Sequence, residues 1–140
     1  MLSVMSTEFS VLATELDRVA SNVTLRKGTA LFRCGDILSG VFVVRKGSVT
    51  LSVDNEASIY PPQTVGAGAI VGLPATLTGH YSLTALVTED AELGFVPGPA
   101  VTQMLEISPE LCMIAMRLMS EEIARVRSAL KETRPMEEHE

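Results

Sequence analysis

The feature that most constrains the fold is a series of short apolar runs between Val23 and Val96, each broken by turn residues. Val41–Arg45 and Val49–Val53 flank Lys46-Gly47-Ser48, a pattern that predicts a compact hairpin. Pro97-Gly98-Pro99 then ends the sheet region. Because no helical pattern separates the runs, we predict a mainly β chain. An antiparallel β-roll or jelly-roll barrel is expected rather than a parallel α/β sheet.

Helical periodicity flanks the strand region on both sides. Apolar residues recur at helical spacing from about residue 7 to residue 20, which predicts an amphipathic N-terminal helix. Ser108 is a preferred N-cap residue and Pro109 suits the first helical position, so a long helix is predicted over 109–132. The predicted organisation is an N-terminal helix at 1–22, a β-roll at 23–107, a C-terminal helix at 108–134 and a disordered tail at 135–140.

Composition restricts the functional classes. The net charge of −6 argues against a nucleic-acid surface, because neutralising phosphates requires clustered Lys and Arg. No apolar run approaches the ~20 residues of a membrane helix, and the first twenty residues lack the pattern of a secretion signal. Cys34 and Cys112 are interpreted as reduced thiols of a cytoplasmic protein. Two histidines cannot supply the ligands of a metalloenzyme barrel, so we expect no metal and no catalysis.

Several motifs together resemble a known family. Leu25–Asp36 carries the pattern Gly-x-x-hydrophobic-Phe-x-x-Gly-Asp, and Val41–Val49 is a hydrophobic strand with a Gly turn and a returning strand. Gly68 and Gly72 frame a short segment, and Ser108–Leu111 opens the last helix. This combination resembles cyclic-nucleotide-binding domains of the catabolite-activator and fumarate-nitrate-regulator families. The resemblance covers nearly the whole chain and implies their double-stranded β-helix fold with a long dimerisation helix.

Within that resemblance, the segment from Gly66 to Ser82 corresponds to the phosphate-binding cassette. The family has Gly-Glu-Leu at the start of a short helix, then Arg-Ser or Arg-Thr opening a strand. Here Leu73 stands at the ribose-binding Glu and Tyr81 at the phosphate-binding Arg. The resemblance implies a degenerate ligand site at Ile70, Val71, Gly72, Leu73, Pro74, Ala75, Tyr81 and Ser82.

The two replacements predict weak or no cyclic-nucleotide binding. Losing the Arg contact costs ~1.5–3 kcal/mol and losing the hydroxyl partner ~0.5–1.5 kcal/mol, which together weaken binding by about 30- to 2,000-fold. Arg33, Arg45 and Arg117 are candidate substitute cations, and another small effector stays possible. His80 is interpreted as an exposed loop histidine rather than a haem ligand.

The long helix carries two apolar stripes. One is expected to lie on the barrel, at Leu111, Ile114, Ala115 and Leu118. The other has the strict spacing of a coiled-coil seam, at Cys112, Met116, Met119, Ile123, Val126 and Leu130. Glu122 and Arg127 occupy flanking positions suited to a crossed ion pair between two copies. The pattern predicts a homodimer through this helix.

These observations leave three functions open. The first is a non-catalytic regulatory module that senses a small ligand, and the second is a structural or protein-interaction dimer domain with a vestigial pocket. The third is the effector half of a longer transcription regulator, whose DNA contacts would lie outside this chain. An enclosed cavity between Gly72 and Ser82 would favour sensing, and solid packing there would favour a scaffold.

Overall fold

The computed structural model describes the backbone of residues 3–53 and 61–132 and the side chains of 10–53, 61–124 and 127. The predicted tail at 135–140 lies outside the described residues. The helices are α1 (Ser3–Arg18), α2 (Ala75–Thr78), α3 (Gly98–Ile107) and α4 (Pro109–Glu132). The strands are β1 (Ser21–Leu25), β2 (Ala30–Phe32), β3 (Gly40–Ser52), β4 (Gln63–Val65), β5 (Ile70–Val71) and β6 (Thr84–Pro97).

The described strands form one antiparallel sheet built around the long pair β3 and β6. The order is β1-β6-β3-β4, and the short strands β2 and β5 pair with β6 and β3 respectively. The mainly β, antiparallel class predicted from the strand pattern is confirmed. Within the described residues, no helix has the length and apolar character needed to cross a membrane.

The predicted hairpin around Gly47 is wrong. Residues 40–52 form one continuous strand that stays paired with β6, and Lys46-Gly47-Ser48 is a region of register shifts rather than a turn. Gly47 has φ +87°, and a Cβ there would lie 2.3 Å from the carbonyl oxygen of Asp90. The glycine therefore lets β3 bend at this point while the strand stays paired with β6.

Alternate residues of β3 face two separate cores. Val41 and Val43 pack with α1, α3 and α4 in a helix-facing core. Phe42 and Val44 pack in the interior of the roll against β6 residues such as Leu93. Because side chains alternate across a strand, this explains why the whole run from 41 to 44 is apolar.

Three helices cover one side of the sheet. Ser108 Oγ accepts from the Leu111 amide at 3.2 Å, which confirms Ser108 as the N-cap of α4. Helix α3 was not predicted, because its opening Gly98-Pro99 was interpreted only as a sheet breaker. Proline is compatible with the first turn of a helix, and the structure uses it there. Arg45 Nε donates to Asp17 Oδ1 at 2.7 Å and ties α1 to the sheet.

Candidate functional site

Tyr81 lies at the centre of the candidate cassette, and its side chain is only 3% exposed. Its hydroxyl donates to the carbonyl oxygen of Gly40 at 2.6 Å. The same oxygen accepts from the amides of Ser39 and Gly40, each at 3.1 Å, and lies 3.1 Å from Ser39 Oγ. Since a phenol has one proton to donate and two lone pairs, these contacts satisfy the hydroxyl entirely within the chain.

Phe32 stacks face to face on the Tyr81 ring, with centroids 3.7 Å apart and planes inclined by 5°. Both rings also close on Gly72, where a Cβ would lie 3.1 Å from Tyr81 Cε1. Among the described residues, the cavity lined by both rings, Pro74 and Ala75 is about 10 Å³. That volume is about one water-sized sphere, whereas pockets for small organic ligands occupy roughly 300 Å³ or more.

The backbone amides after Gly72 are the cassette's remaining anion-binding groups. Pro74 has no N–H to offer. The Ala75 amide donates to the Gly72 carbonyl at 3.3 Å, and the Thr76 amide donates to the Leu73 carbonyl at 3.0 Å. These amides are therefore used within the turn that opens α2, a helix of only four residues.

The predicted ligand residues lie in two different environments. Val71 and Ala75 pack with Tyr81 in the interior of the roll. Leu73 is buried in the helix-facing core, and Ile70 packs against that core. Leu73 and Tyr81 therefore do not line a common pocket, because successive segments of the cassette face opposite cores.

The sequence also singled out several polar side chains. Arg45 is engaged elsewhere, since its Nη1 donates to Asn22 Oδ1 at 2.8 Å in addition to the Asp17 pair. Arg33, Arg117 and Ser82 are exposed. His80 is also exposed, and its backbone forms an isolated antiparallel bridge with residue 37.

Sequence reasoning did not identify Phe32 and Ser39 as cassette residues. Phe32 stands in the Gly-x-x-hydrophobic-Phe motif, so the motif marked its position in the fold but not its contact with Tyr81. Ser39 carried no sequence signal, because its role depends on where the Tyr81 hydroxyl ends. Both residues lie more than forty positions before Tyr81 in the sequence.

The seam of α4 is only partly open to a second copy. Met119 is 2% exposed and lies in the core of its own chain, which corrects its assignment to the contact surface. Thr76 of α2 contacts it, with Oγ1 3.6 Å from the Met119 sulfur. Met116 is 54% exposed, and Cys112 and Ile123 are half-buried. The side chains of Val126 and Leu130 lie outside the described residues.

The fold and cassette can be compared with known proteins. Residues 22–108 match the family described as Cyclic nucleotide-binding domain. The Transcriptional activator protein FnrA of Stutzerimonas stutzeri is 34% identical over 108 residues, which cover 76% of this chain and 44% of FnrA. The Fumarate nitrate reduction regulatory protein of Klebsiella oxytoca is 31% identical over 102 residues, covering 71% of this chain and 40% of that protein. This chain thus spans less than half the length of these curated relatives.

Solved structures show the same fold. The Catabolite Activator Protein of Thermus thermophilus superposes with a TM-score of 0.67 at 18% identity, over 93% of this chain and 60% of that chain. A transcriptional regulator of Thermotoga maritima also gives 0.67, at 15% identity, over 84% of this chain and 93% of that chain. At these identities the likeness concerns the fold alone.

Proposed function

Because the chain belongs to the cyclic nucleotide-binding domain family of catabolite-activator and fumarate-nitrate regulators, we propose that it is a non-catalytic regulatory domain with a self-occupied cassette. Its task in this proposal is to hold two copies together through α4. It performs that task without a cyclic nucleotide.

One observation carries the proposal. The Tyr81 ring is stacked on Phe32, its hydroxyl is saturated by Ser39 and Gly40, and the cavity that both rings line among the described residues is about 10 Å³. A cyclic nucleotide needs the space that the Tyr81 ring fills, and it needs a cation for its phosphate. Tyr81 removes both at once, which favours the structural or protein-interaction class over ligand sensing.

Catalysis receives little support from the described side chains. Among them, His, Cys, Asp and Glu form no group of three or more that could hold a metal ion. The buried polar atom at the centre of the cassette is the Tyr81 hydroxyl, and its hydrogen bonds leave no capacity for a reacting group.

The dimer is supported by the exposed apolar surface of α4. Met113 and Met116 are 63% and 54% exposed, one turn apart on the same helix. Large side chains exposed together on a helix face mark an interaction surface. Flanking Arg127 is exposed as well, which leaves it available for the predicted contact with Glu122 of a second copy.

Titration with cyclic AMP or cyclic GMP is expected to show no binding. At about 1 mM nucleotide, a ligand with a dissociation constant of about 10 μM would stabilise the native state by ~2.7 kcal/mol, equivalent to a rise in Tm of roughly 5–10 °C. We expect a rise below about 1 °C and no saturable heat in calorimetry. A family member that retains the cassette Glu and Arg serves as the positive control.

A low-micromolar dissociation constant for either nucleotide would overturn this part of the proposal. Such binding would require the Phe32–Tyr81 stack to open. Tyrosine fluorescence and the near-ultraviolet circular dichroism of the aromatic rings would then change with the nucleotide, and both signals can be recorded in the same titration.

A further inference from the structure

A chain of contacts leads from Tyr81 to α2. The Tyr81 ring closes on Gly72, whose carbonyl accepts the first amide of α2 at 3.3 Å. The Leu73 carbonyl accepts from both the amide and Oγ1 of Thr76, at 3.0 and 2.7 Å. The position of the Tyr81 ring therefore determines how closely the turn before α2 can approach the roll.

The chain of contacts continues from α2 to α4. Thr76 Oγ1 lies 3.6 Å from the sulfur of Met119, which is almost fully buried. One turn further along α4, Glu122 lines the same small cavity as Tyr81 and Ala75. Two successive turns of α4 thus rest on the cassette and on the helix that the cassette holds.

We propose that Tyr81 is a built-in ligand of the cassette that fixes the position of α4 around Met119 and Glu122. The proposal rests on the proposed function, because it requires the cassette to be closed to an external ligand. The ring supplies the packing, and the hydroxyl fastens the ring to the start of β3 at Ser39 and Gly40. The position of α4 is then set by a side chain instead of by an effector.

The test empties the cassette and refills it with a small phenol. Tyr81→Ala removes the ring and leaves an apolar cavity with polar groups at its far end, and such a cavity binds a ligand of matching shape. We expect Tm to fall by about 10 °C and amide exchange at residues 115–124 to accelerate by about tenfold or more. Millimolar p-cresol, which reproduces the tyrosine side chain, is expected to restore most of both losses.

Toluene is the matched probe, because it has the ring and methyl group of p-cresol but no hydroxyl. We expect toluene to restore less of the lost Tm than p-cresol does, because it has no oxygen to accept hydrogen bonds from the amides of Ser39 and Gly40. Val87→Ala is the matched variant. Val87 is fully buried in the same core, so its truncation lowers global stability without touching the contacts from Tyr81 to α4.

The comparison is made per degree of Tm lost. If Tyr81→Ala then accelerates amide exchange at residues 115–124 no more than Val87→Ala does, the coupling to α4 is disproved. Failure of p-cresol to protect a folded Tyr81→Ala protein would also disprove it. Should Tyr81→Ala not fold, Tyr81→Leu provides the same exchange readout with part of the volume retained. Nucleotide binding by the unaltered protein contradicts the proposed function instead, so the two failures are distinguishable.

Discussion

Replacing Met116 with glutamate is expected to convert a dimer into a monomer. Met116 is 54% exposed within one chain, and its sulfur lies 3.9 Å from Cys112 Sγ on the same stripe. By symmetry both copies lose a buried methionine, each contributing ~1.5–3 kcal/mol. The dimer dissociation constant is therefore expected to rise by two orders of magnitude or more, measured by sedimentation velocity from about 1 to 100 μM.

Ala124→Glu is the control for this substitution. It introduces the same charge at an exposed position of α4, about 80° around the helix from Met116 at 100° per residue. We expect Ala124→Glu to remain dimeric and both variants to stay folded, with only Met116→Glu losing the part of Tm that dimerisation contributes. A Met116→Glu protein that sediments like the unaltered dimer would refute this surface. An unaltered protein that sediments as a monomer throughout the range would refute the dimer itself.

Replacing Gly47 with alanine is expected to reduce the free energy of unfolding by more than about 3 kcal/mol. Positive φ costs a residue with a Cβ roughly 1–2 kcal/mol, and crowding in a packed region costs roughly 1–3 kcal/mol more. Here the crowding is with the backbone itself, since the new Cβ would lie 2.3 Å from Asp90 O and 2.8 Å from Ala91 Cα. Urea denaturation measures the loss.

Gly28→Ala separates the two contributions to that loss. Gly28 has φ +96°, close to that of Gly47, but a Cβ there would have nothing within 4 Å. We expect this variant to lose about 1–2 kcal/mol, the cost of backbone conformation alone. Equal losses in the two variants would show that the bend of β3 does not depend on close approach to β6.

The sequence was sufficient for the fold class but not for the path of its longest strand. Alternation and turn residues predicted antiparallel strands, and the Ser108 cap and the span of α4 followed from local rules. Lys46-Gly47-Ser48 was misread as a hairpin because the same residues suit a turn and a bulge. The length of the opposite strand decides between them, and that length is a property of the paired sheet.

The site was less predictable for a related reason. Replacement of the cassette Arg by Tyr81 indicated a lost charge, yet it gave no sign that the ring would stack on Phe32. Met119 fitted the spacing of an intersubunit seam, but helical spacing does not reveal which neighbour covers a face. The helix-facing core of the same chain covers it, and Thr76 of the short helix α2 contacts its sulfur.

The alternation of β3 between two cores has a consequence for how this chain can evolve. Loss or gain of a single codon between Val41 and Val44 would exchange the occupants of both cores at once, placing Phe42 where a smaller neighbour belongs. A point substitution in this segment disturbs only one of the two cores. Length variation among descendants of this chain is therefore expected to avoid this segment, even where its individual side chains drift.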